Sequence, residues 1–104
     1  MKEVLADIIK RGVDFTIYTN IAYGRGINGI GYESYSTHGL LGESGSPQTE
    51  IKRTFELKDN YIIITEYYIP PHLNWIAKDK QKKPYSKRIY LGYDKITYIS
   101  ESIK

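Results

Sequence analysis

The sequence predicts an α+β fold: a short N-terminal helix packed on a mainly antiparallel sheet of about five strands, with a long Gly-rich loop. Three observations predict it. The first dozen residues carry a helical apolar stripe, several later segments alternate with period two, and seven of the nine glycines fall between Gly24 and Gly45. At 104 residues the chain is expected to be a single domain, 1–104, without a linker or an internal repeat.

Glu3 to Arg11 reads as the helix. Val4, Leu5, Ile8 and Ile9 line one side, and Lys10 and Arg11 sit at the end where the helix dipole favours cations. Gly12 supplies the left-handed residue that stops it. From Val13 to Thr19, Val13, Phe15 and Ile17 alternate with Asp14, Thr16 and Tyr18, the signature of a strand. Between Asn20 and Gln48 the alternation fails and glycines abound, so a loop is expected, with short irregular strands around Ile30–Ser36.

Alternation resumes from Thr49 to Leu57, with Ile51, Phe55 and Leu57 on one face. Arg53 shares that face and must therefore meet a carboxylate, a ligand or a subunit interface. Lys58-Asp59-Asn60 has turn chemistry, and Tyr61 to Ile69 begins apolar on both faces, as a central strand does. These two strands form an antiparallel hairpin. Pro70-Pro71 ends it, because proline cannot donate to the ladder. His72 to Lys83 fits one helical turn or an extended loop. Arg88–Leu91 and Lys95–Ile99 are expected to pair as a last hairpin around Gly92-Tyr93-Asp94.

Composition narrows the function classes. Cysteine is absent, which excludes a disulfide framework and a thiolate metal site and leans towards a cytoplasmic setting. The N-terminal residues lack the apolar core of a signal peptide, and no apolar run approaches membrane-spanning length, so no membrane partner is expected. Eleven tyrosines supply most of the aromatic content, which suits half-buried strands and ligand surfaces alike. Residues 1–50 carry four basic and six acidic side chains, whereas residues 51–104 carry eleven basic and six acidic ones. That asymmetry favours an anionic partner for the C-terminal half.

Gly24-Arg25-Gly26-Ile27-Asn28-Gly29 spells G-x-G-x-x-G, the dinucleotide fingerprint. The fingerprint works in a strand–turn–helix, where pyrophosphate meets a helix N-terminus. Residues 30–39 are poor in helix formers and no parallel unit follows, so the dinucleotide reading is rejected. The glycines can instead bring main-chain N–H groups close to an anion. Arg25 lies in the run beside Gly26, and Ser44 lies in a second small-residue cluster with hydroxyl and N–H donors. A surface loop whose glycines merely permit turns is the plainer alternative.

No catalytic set emerges. His38 is a conceivable general base in the loop, but no His, Asp or Glu cluster has metal-ligand spacing, and no nucleophile elbow or P-loop occurs. Glu56 and Glu66, on neighbouring strands, read as outward and solvated. Residues 78–88 hold six cations and one acid, flanked or interrupted by Trp75, Tyr85 and Tyr90, a pattern able to grip phosphates and stack on bases. Arginine is the sharper clue, because its planar fork matches phosphate. Arg25, Arg53 and Arg88 would converge if the glycine loop folded over the sheet.

The expected function is non-enzymatic: a domain that captures a phosphorylated, nucleotide-like small ligand, without cofactor or metal. Arg25, Gly26, His38, Ser44, Arg53, Trp75, Arg88 and Tyr90 are the candidate ligand-binding residues. Such a domain fits a sequestering or inhibitor protein of the kind that phages and mobile elements encode. Homo-oligomerisation is expected, because one helix leaves part of a small sheet uncovered. The alternatives are a protein–protein inhibitor, a nucleic-acid-binding module using the lysine-rich loop, and a small nucleotide hydrolase or phosphodiesterase using His38.

Overall fold

The computed structural model describes residues 1–26, 29–42 and 45–103, with the side chains of all of these except 24–26 and 30. Among these residues one helix, α1 (Lys2–Arg11), precedes seven strands: β1 (Phe15–Gly26), β2 (Gly29–Ser36), β3 (His38–Leu41), β4 (Thr49–Leu57), β5 (Tyr61–Ile69), β6 (Tyr85–Gly92) and β7 (Ile96–Glu101). Every pairing is antiparallel. The strands form two sheets, in the orders β2-β1-β7 and β3-β4-β5-β6. The fold is therefore α+β as expected, with two sheets in place of one and seven strands in place of about five. No helix among the described residues is long and apolar enough to cross a membrane.

The first change of sheet takes a single residue. Between β2 and β3, the Thr37 N–H donates to the Phe15 carbonyl at 3.1 Å, and the Thr37 carbonyl accepts from the Arg53 N–H at 2.9 Å. The second crossing is a 3-10 turn over Tyr93–Lys95 between β6 and β7, where the Tyr93 hydroxyl donates to the Lys58 carbonyl at 2.6 Å. This corrects the expected last hairpin. Both segments are strands, but the turn sends β6 to β5 in one sheet and β7 to β1 in the other.

The two inner faces cover each other. Phe15, Ile17, Tyr35 and Ile96 from one sheet meet Ile62, Ile64 and Leu91 from the other in one core, joined by Leu5 and Ile8 of α1. The inner faces of both sheets are thus covered within the chain. The helical stripe is narrower than its sequence suggests, since Val4 is exposed while Leu5 and Ile8 are buried. Arg11 anchors the helix end: its guanidinium reaches both carboxylate oxygens of Glu101 on β7, and its Nε donates to Asp7 at 3.0 Å.

Gly12 ends α1 with φ 68° and its N–H on the Ile9 carbonyl. Side chains avoid that left-handed region, so Gly12→Ala is expected to cost about 1 kcal/mol without altering the core, read as a lower urea midpoint at unchanged slope.

The expected glycine loop is mostly strand. β1 continues to Gly26 and pairs with β2 through Gly24 opposite Gly31 and Gly26 opposite Gly29. Cross-strand packing fits the glycine there: a Cβ on Gly31 would collide with the Tyr23 ring. The missing side chain leaves room for an aromatic that covers the glycine, a known way of keeping glycine in a sheet. An antiparallel hairpin also replaces the strand–turn–helix that a dinucleotide fingerprint requires.

Candidate binding surface

The register of the four-stranded sheet decides which sequence candidates share a face. In the β4–β5 hairpin, Arg53 stands opposite Glu66, and in the β5–β6 pair Glu66 stands opposite Lys87. Ile62, Ile64, Glu66 and Tyr68 are buried, so they and their cross-strand partners face inward. The alternate residues face outward: Tyr61, Ile63, Thr65, Tyr67 and Ile69 on β5, and Ser86, Arg88 and Tyr90 on β6.

Arg53 finds a carboxylate, not a ligand. Its Nε donates to Glu66 Oε2 at 2.6 Å and its Nη1 to the Ser36 carbonyl at 2.9 Å, while its Cζ lies 5.8 Å from the Tyr35 ring centroid. The Tyr68 hydroxyl donates to Glu66 Oε1 at 2.7 Å, and Lys87 Nζ stands 3.6 Å from the same oxygen. Burial alone would raise the Glu66 pKa; the hydrogen bonds from Tyr68 and Arg53, with the charges of Arg53 and Lys87, outweigh it and hold the carboxyl below its ordinary range. Burial and the Glu66 carboxylate together push the Tyr68 hydroxyl up to about 12. Glu66, expected to be solvated, is 2% exposed. This inner network holds the fold and leaves its arginine no free edge towards the outer face.

Arg88 is the opposite case. It points outward opposite Thr65, with Tyr90 two residues along its own strand and Tyr67 in the neighbouring row, opposite Ser86. Rows two residues apart lie roughly 7 Å from one another. Tyr61 and Tyr90 approach with ring centroids 6.1 Å apart at 56°. All three tyrosines are exposed. Arg88 makes no salt bridge among the described residues, whereas Lys52 and Lys58 pair with Glu50 and Glu56 on the same sheet.

The lysine-rich connection adjoins one end of this face, since it leaves from Ile69 and returns at Tyr85. It is an ordered loop with one 3-10 turn at Lys78–Lys80. Gln81 organises it: its amide nitrogen reaches the Leu73 and Ile76 carbonyls, and its oxygen accepts from the Leu73 N–H at 3.2 Å. Trp75 projects from the loop, 74% exposed. Lys78, Lys80, Lys82 and Lys83 make no salt bridge among the described residues.

Of the sequence candidates, Arg88 and Tyr90 thus come together, and Trp75 is displayed from the adjoining loop. His38 lies on the edge strand β3, opposite Lys52 on the outer face, with its Nδ1 3.8 Å from Asp14. The proposed convergence of Arg25, Arg53 and Arg88 is corrected, because Arg53 and Arg88 point to opposite faces. Gly26 pairs with Gly29 at the distal end of the β1–β2 hairpin. The Arg25 side chain and Ser44 lie outside the described residues. Tyr61 and Tyr67, which share the outer face with Arg88, are not among the sequence candidates; the hairpin register, countable from the Lys58–Asn60 turn, is the signal that finds their face. Among the described residues, no three His, Asp or Glu side chains gather as metal ligands.

No protein-family model, curated protein or solved structure matches the chain.

Proposed function

We propose that the protein is a non-enzymatic binding domain that captures phosphorylated, base-bearing ligands on the outer face of its four-stranded sheet. The observation that carries this reading is Arg88: an arginine without a carboxylate partner among the described residues, set between Tyr67 and the Tyr61–Tyr90 pair. A guanidinium fork takes a phosphate bidentately, and exposed rings stack on bases without regard to sequence. The lysines of residues 78–83 extend the positive potential beyond the sheet end. Because this face is open rather than enclosed, a short single-stranded oligonucleotide suits it better than a mononucleotide, which needs a pocket to bury it.

A fluorescent ten-nucleotide single strand tests the reading. Binding should be measurable at low salt and fall steeply as salt rises. Arg88→Ala should weaken it about tenfold and lower the slope of log affinity against log salt by about one. Tyr90→Ala should cost about 1–3 kcal/mol while leaving that slope unchanged. A folded protein that binds neither oligonucleotides nor mononucleotides at low salt overturns the proposal.

A further inference from the structure

The outer face of the three-stranded sheet carries a different site. The ladders on both sides of β1 are irregular at the same place: β1 carries extra residues against β2 between Tyr18 and Ala22, and β7 carries Thr97 as an extra residue against Tyr18 and Thr19 of β1. Two hydroxyls hold the distortion. Thr19 Oγ1 donates to the Glu33 carbonyl at 2.7 Å and accepts from the Ile21 N–H at 3.2 Å, and Thr97 Oγ1 donates to the Tyr18 carbonyl at 3.0 Å. Bulges re-aim side chains and cluster at functional sites. Here the double bulge opens a cleft of about 410 Å³, lined by Tyr18, Tyr98, Tyr32, Asn20, Thr97 and Glu33 beside Thr19. That volume lies in the range of small-ligand sites.

The lining selects the ligand's charge. Tyr18 and Tyr98 stack with centroids 4.2 Å apart at 13°, and Tyr32 adds a third ring. Ring faces carry negative potential, which attracts cations and repels anions. Glu33 is the one charged residue in the lining and makes no salt bridge among the described residues. Three phenol rings, with amide, carbonyl and hydroxyl acceptors and one acidic residue nearby, are complementary to a soft organic cation. They are unsuited to the phosphate proposed for the other sheet.

We infer that this cleft is a recognition site for an organic cation, an alkylated ammonium or guanidinium group, carried by a free small molecule or by a lysine or arginine side chain of a peptide. Amide chemical shifts of Tyr18, Thr19 and Thr97 report occupancy. The probes are choline, its neutral isostere 3,3-dimethylbutan-1-ol, and a short peptide bearing trimethyl-lysine or arginine. Choline is expected to shift these amides and the neutral isostere to do so at least fivefold more weakly, with Glu33→Gln and Tyr98→Ala each weakening the cation about fivefold. The wild-type comparison of choline with its isostere stands even if Tyr98→Ala disturbs the sheet. Tighter binding of the peptide than of choline identifies a protein source, and the reverse a free metabolite. Equal binding of charged and neutral probes, or no shift at tens of millimolar of any cation, overturns the inference.

Discussion

Glu66→Ala is expected to destabilise the protein by about 3–5 kcal/mol, a large share of the roughly 5–15 kcal/mol that holds a typical domain together. The magnitude follows from what the substitution leaves behind. Arg53 and Glu66 have side chains only 12% and 3% exposed, so removing the carboxylate strands a guanidinium in the interior. Tyr68 loses its acceptor in the same step. Replacing both ends together, as in Arg53→Met with Glu66→Leu, is expected to cost less than either single removal, because no uncompensated charge remains. Urea denaturation of the two single variants and the double variant checks this; additive losses would show that the two residues do not act as a pair. The same network sets a pH dependence. The folded Glu66 carboxyl titrates below its ordinary value of 4.5, so its contribution is complete above that pH and is lost as pH falls through the depressed range. The Tyr68 hydroxyl, raised from 10.0 to about 12, contributes fully below pH 10 and loses that contribution as pH climbs towards 12. Glu66→Gln should flatten the acid limb of a stability–pH profile.

Leu5→Ala is expected to cost about 2–5 kcal/mol, the range for emptying a fully buried leucine site. Leu5 is 0% exposed and with Ile8 forms the whole buried face of α1. A ten-residue helix is marginal in water by itself, so its order depends on this packing. The melting temperature should fall by roughly 5 °C for each kcal/mol lost. Val4→Ala, at an exposed position on the same helix, should change little. A small effect of Leu5→Ala would mean that the two sheets hold together without the helix.

Where one local rule governs, the sequence was readable. The β4–β5 hairpin matches its alternation and turn residue for residue, and α1 begins one residue before its expected start. Readability ended where a distant residue decided the outcome. Residues 24–26 and 29–31 read as loop by composition, yet they pair as strand, with the Tyr23 ring packed over Gly31. The segments around Gly92 read as a hairpin, but the core draws Ile96 to the other sheet. In the candidate sites the pattern repeats. The oddity of Arg53 correctly announced a partner and left three kinds open, whereas the cleft at the double bulge has no sequence signature. Its rings come from Tyr18 and Tyr32 on the β1–β2 hairpin and from Tyr98 on the distant strand β7.

Arg53 also ties the two sheets across their junction. Its main-chain N–H binds the Thr37 carbonyl and its side chain binds the preceding carbonyl, that of Ser36. Thr37 in turn holds Phe15 in β1. Opening either sheet therefore breaks bonds that belong to the other, so the pair of sheets lacks a cheap partial opening along this seam. The amides of Thr37 and Arg53 should exchange with solvent deuterium only when the whole molecule unfolds, which makes the two sheets one cooperative unit.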